Sequence, residues 1–116
     1  MLRNISLIVC LTLAALSAAC SNAPAQSPPA SGAKITIKNF SFDPPALTVA
    51  VGTEVEWTDE AGRHTVEADD GSFKSGNLTA GGTFKHKFTK AGVYKYFCEY
   101  HGSAGGHDMA GTVTVK

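Results

Sequence analysis

The sequence predicts an all-β domain folded as a β-sandwich. Two observations carry this. Apolar and polar residues alternate in short runs with a period of two. Turn residues punctuate those runs, with 12 Gly and 5 Pro in 116 residues. In order, Ile35 and Ile37 alternate with Thr36 and Lys38. Pro44-Pro45 then bends the chain or places it at a sheet edge. Leu47, Val49 and Val51 alternate with Thr48 and Ala50, and Gly52 ends that run. Val55 and Trp57 alternate with Glu54, Glu56 and Thr58. After Gly71 and Gly81-Gly82, Phe84, His86 and Phe88 alternate with Lys85, Lys87 and Thr89. After Gly92, Tyr94, Tyr96 and Cys98 alternate with Val93, Lys95 and Phe97. Val113 and Val115 close the chain between Thr112, Thr114 and Lys116.

Ahead of this body the N-terminus reads as an export signal. Arg3 supplies a positive start, and Ile5 to Ala19 carries no charge. That stretch is shorter than the ~20 apolar residues of a bilayer-spanning helix. Leu16-Ser17-Ala18-Ala19-Cys20 resembles a bacterial lipobox, in which small residues precede a Cys that becomes the lipidated N-terminus. An ordinary signal peptide, cut after Ala19 or Ala25, is the alternative. Residues 21–33, rich in Pro, Ser, Ala and Gly and free of charge, read as a flexible tether reaching up to ~40 Å. The expected organisation is a signal peptide over 1–19, a lipidated Cys20 with linker over 20–33, and one folded domain over 34–116. The mature protein is expected outside the cytoplasm, held to a membrane through Cys20.

Ten basic and ten acidic side chains give zero formal net charge, which argues against a phosphate-driven nucleic-acid binder. Three cysteines leave Cys98 alone in the folded part, so no disulfide supports a core of this size and a bound metal would help.

The chemistry gathers near the C-terminus. Cys98-Glu99-Tyr100-His101 continues through seven residues to Met109, a C-x2-H-x7-M pattern. A second imidazole, His64, follows the Trp57 strand. These four can converge at one end of a sandwich. Two His, one Cys and a weak axial Met are the ligand set of a blue-copper electron-transfer site. Thiolate and thioether suit Cu(I) and imidazole suits Cu(II), so such a set tolerates both states. Taken singly, Cys98 reads as a small buried hydrophobe, Met109 as core filler and His64 as a surface residue. His107 competes for the axial place, with a surface position as its default. His86, in phase with Phe84 and Phe88, reads as a hydrogen-bonded structural histidine.

The domain resembles the small cupredoxins of the plastocyanin, pseudoazurin and amicyanin type. The resemblance rests on Phe42-Asp43-Pro44, Leu47-Thr48-Val49, Val55-Glu56-Trp57, His64-Thr65-Val66, Gly92 to Cys98, His101-Gly102 and Met109 to Val115. It implies a cupredoxin-like Greek-key β-sandwich and one copper ion held by His64, Cys98, His101 and Met109. Two departures stand out. The loop between His101 and Met109 is longer than in many relatives. Asp59 and Arg63 stand nearest the places where relatives often carry Asn and Pro, which bears on the hydrogen bond to the Cys sulfur.

No Ser/His/Asp set, phosphate loop or paired acid–base carboxylates is evident, so a one-electron carrier is expected in preference to an enzyme. Copper delivery or storage through the same four residues is the alternative. A zinc site leaves Met109 without a role, and an adhesion module leaves Cys98 merely buried. The expected partners are a redox-protein donor and acceptor, with the carrier monomeric. Gly102, Ala104, Gly105, Gly106 and Ala110 are expected to form a flat docking surface around His101.

Overall fold

The computed structural model describes residues 32–116. The signal peptide, Cys20 and nearly all of the linker lie outside the described residues. Ten strands follow in chain order: β1 Ala33–Lys38, β2 Ser41–Asp43, β3 Ala46–Val49, β4 Glu54–Asp59, β5 Arg63–His64, β6 Glu67–Ala68, β7 Leu78–Thr79, β8 Thr83–Lys87, β9 Gly92–Ser103 and β10 His107–Val115. They make two four-stranded sheets, β2-β1-β4-β8 and β3-β10-β9-β6, with β5 and β7 as a separate pair. The fold is an all-β sandwich, as the alternation predicts.

Each sheet mixes directions. β1 runs parallel to β4, and β3 runs parallel to β10. Parallel neighbours cannot be joined by a hairpin, so the chain crosses between sheets, and that crossing binds the two layers together. Alternation places Ile35, Ile37, Val55, Trp57, Tyr96, Cys98, Val113 and Val115 inside, each 3% exposed or less. Trp57 sits at the middle, tilted against Phe73, Phe84 and Phe88 and edge-on to Tyr96.

The long runs form strands as the alternation predicts, but one end differs. Val51 leaves the alternation for a turn, where it is 43% exposed. The short pieces β2, β5, β6 and β7 carry too few residues to show a period. Phe42 of β2, Ala68 of β6 and Leu78 of β7 are buried, as are Val66 and Phe73 in the connections beside them. His86 packs between aromatic rings, 4.7 Å from Phe73 and 4.8 Å from Phe88 centroid to centroid. Ring packing, in place of the expected hydrogen bond, fixes it among the described residues.

One irregularity shapes the site. Gly102 pairs with Asp108 and Phe97 pairs with Ala110. Cys98, Glu99, Tyr100 and His101 therefore lie opposite a single residue, Met109. This bulge breaks the ladder between the two longest strands and swings the Cys98–His101 segment out of the sheet.

Candidate metal centre

Cys98 lies on the inward phase of β9, where its thiol is fully buried and unpaired with any other cysteine. His64 ends β5, also fully buried, and His101 lies at the far side of the bulge, partly exposed. Fold and bulge together bring the three into one group whose ligand atoms all lie within 4.8 Å of one another. His64 Nδ1 is 3.8 Å and His101 Nδ1 is 3.6 Å from Cys98 Sγ. Two ligands of one tetrahedral ion keep about this separation, ~3.5 Å for bonds of ~2.0 Å to nitrogen and ~2.3 Å to sulfur.

The proton on His64 fits a metal. Its Nε2 lies 2.9 Å from the Ala61 carbonyl oxygen. A carbonyl only accepts, so Nε2 carries the hydrogen and Nδ1 faces the sulfur with a free lone pair. Gly62, at φ +94°, leaves room for this contact; a Cβ there would stand 3.0 Å from Nε2. A buried soft thiol faced by two imidazole nitrogens is the donor set for copper or zinc.

Met109 is 1% exposed and occupies the position opposite the Cys98–His101 bulge. His107 is exposed at the start of β10. The sulfur also receives an N–H: the Thr65 amide donates to Cys98 Sγ at 3.4 Å. Thr65 Oγ1 accepts from the Glu99 amide at 2.9 Å, locking the segment after His64 to the segment after Cys98. The residue nearest the relatives' Asn by sequence, Asp59, does not make this bond. Thr65 escapes sequence reading because a threonine beside a histidine in a strand pattern looks like ordinary β-former chemistry.

The edge of His101 faces a cleft lined by Asn39, Phe40, Gly62, Arg63 and Tyr100. Phe40 is 64% exposed, sits at φ +71° in the β1–β2 turn and packs edge-on to His101 at 4.7 Å. The Arg63 guanidinium lies over the Tyr100 ring at 4.8 Å, and the Tyr100 hydroxyl donates to Asn77. None of the small residues expected to surround His101 lines this cleft. The extra loop residues extend the β9–β10 hairpin instead, with Ser103 paired to His107. Its turn is tied elsewhere, because the Gly105 amide donates to Asp69 at 2.9 Å.

Comparison with known proteins agrees with this geometry. The cupredoxin-like domain model matches residues 5–115. Plastocyanin of Scenedesmus fuscus is 37% identical over 87 residues, 65% of this chain and 86% of that protein. Halocyanin of Natronomonas pharaonis is 40% identical over 83 residues, 66% of this chain and 49% of that protein, so the match spans half of the halocyanin. The solved purple cupredoxin of Nitrosopumilus maritimus superposes with a TM-score of 0.63 at 32% identity, over 72% of this chain and 99% of that one. A His-Cys-His group built around a buried thiol in a mixed β-sandwich, together with these matches, places the chain in the cupredoxin family.

Proposed function

We propose that the protein is an extracytoplasmic one-electron carrier whose single type 1 copper is held by His64, Cys98, His101 and Met109. The convergence of three ligand atoms within 4.8 Å around a buried thiol carries this reading. Copper, when bound, supplies a one-electron couple and an intense thiolate-to-metal charge-transfer colour. Everything else falls to the chain. Cys98, His101 and Met109 ride on β9 and β10 of one sheet and His64 on the β5–β7 pair, and the Thr65–Cys98 and Thr65–Glu99 bonds fix the two to each other. A frame tied at these points would limit rearrangement of the ligands when copper changes oxidation state. Burial of His64 and Cys98 excludes water.

Met109 would supply the fourth, thioether donor, a role its burial and its place opposite the bulge support, and His107 is disfavoured for it by its exposure. His101, partly exposed beside the aromatic cleft, is the port for electrons. No catalytic role is assigned. A redox-protein donor and acceptor meet the carrier at this port, and the carrier works as a monomer. Cycling between oxidation states without loss of copper to a chelator distinguishes a carrier from a delivery protein.

The lipobox-like Leu16 to Cys20 supports a lipid anchor on Cys20, with residues 21–33 as tether. Bacterial lipoproteins of this type carry more than one acyl chain, as stable anchoring requires. Fractionation tests it: wild type is expected with membranes and Cys20→Ala in the soluble fraction, still able to bind copper. Wild type found wholly soluble, with no lipid mass at its N-terminus, contradicts the anchor.

A further inference from the structure

Asp59 is the one carboxylate among the described residues that is fully buried. It ends β4, one short loop before His64. One oxygen, Oδ1, accepts from the Ala61 amide at 3.1 Å. The other, Oδ2, is buried with no hydrogen-bond partner. Ala61 is also the residue whose carbonyl receives His64 Nε2–H at 2.9 Å. The backbone of Asp59 is itself held, its N–H donating to Gly82 and its carbonyl accepting from Gly81. A rigid carboxylate thus grips the N–H side of Ala61, and the carbonyl side of Ala61 grips the imidazole.

We propose that Asp59 is a positioning residue for His64, acting through Ala61 to fix both the tautomer and the aim of the imidazole. This rests on His64 being a metal ligand. The one acceptor contact, from Oδ1 to the Ala61 amide, fixes the peptide whose carbonyl meets the histidine, and a buried Oδ2 with no partner leaves the side chain no competing hydrogen bond. Metal-bound histidines commonly depend on such partners for ring orientation and basicity.

Hydrogen exchange on the copper-free full chain, followed by NMR, tests this without the metal. In wild type the Ala61 amide and the His64 Nε2 proton are expected to exchange slowly. Asp59→Ala is expected to speed both by about tenfold, the loss of one buried hydrogen bond. Asp59→Asn keeps an acceptor at Oδ1 and is expected to restore both. Copper affinity is expected to fall about tenfold in the alanine variant and to recover with asparagine. A freed Ala61 amide with an unchanged His64 ring proton overturns the proposal, leaving Asp59 a turn cap. An asparagine variant as impaired as alanine overturns it too. If the alanine variant fails to fold, rapid exchange at Ala61 in wild type overturns it and full rescue by asparagine supports it. A wild type that shows the slow exchange yet binds no copper contradicts the copper reading alone.

Discussion

The Thr65 amide points at the sulfur of Cys98 from 3.4 Å, while the Thr65 hydroxyl accepts from the next amide along, that of Glu99, at 2.9 Å. One residue therefore touches the thiol and holds the strand that carries it. An N–H directed at a thiolate stabilises its negative charge and draws electron density from the metal bond. Thr65→Ala leaves the N–H but removes the hydroxyl, stranding the Glu99 donor. The expected result is a loss of about 1–3 kcal/mol in unfolding free energy and a shifted charge-transfer band. Thr65→Ser should restore both. Denaturant unfolding and absorption spectra of the three proteins check it.

Met109→Leu should leave copper bound and raise the reduction potential, since a donor that favours Cu(II) is lost. His107→Ala should change neither spectrum nor potential, because His107 is exposed. Gly102→Ala offers an independent perturbation, since a Cβ there would collide with the backbone carbonyl of Met109. It should move the potential while keeping every ligand. Voltammetry of the three variants checks the axial assignment.

At the electron port, Arg63 is the one cation lining the cleft beside His101. Arg63→Glu should slow oxidation by anionic hexacyanoferrate severalfold at low salt, and the difference should shrink as salt screens it. Ala104→Glu, on the hairpin turn and outside the lining of the cleft, should have much less effect. Stopped-flow kinetics across ionic strength separates the two surfaces.

Burial holds the pKa of His86 below the ordinary 6.5. The folded state therefore prefers the neutral ring, and the unfolded chain binds the proton more readily. His86 contributes stability fully above about pH 6.5, and that contribution is lost as pH falls toward its lowered folded value. His86→Gln should flatten this part of the profile. The difference in melting temperature between wild type and variant, followed from pH 7.5 down to pH 5, isolates it from the other histidines.

The strands that carry the core were legible because alternation survives in any run of five or six residues, as Val55-Glu56-Trp57 illustrates. Three of the site residues were legible for a different reason: Cys98, His101 and His64 have side chains whose chemistry is conspicuous wherever they stand. Hydrogen bonds made by the backbone leave no such trace. The bond from Thr65 to Cys98 uses an amide that every residue but proline has, and the turn at Ala61 uses a carbonyl that every residue has. The aromatic cleft was hidden because Phe40 reaches His101 from a turn far away in the chain. The direction of the hairpin turn was hidden because glycine-rich composition says that a loop can bend, but not which way; in the structure the Gly105 amide ties it to Asp69.

The most direct measurement is the absorption spectrum of the oxidised, copper-loaded full chain beside that of Cys98→Ser. Cys98 is the only cysteine in the described domain, buried and facing two imidazole nitrogens. The wild type should show an intense visible thiolate-to-Cu(II) band, and the serine variant should be colourless in that region. A wild type that binds copper without the band, or a serine variant that keeps it, contradicts the assignment of Cys98 and with it the type 1 copper centre.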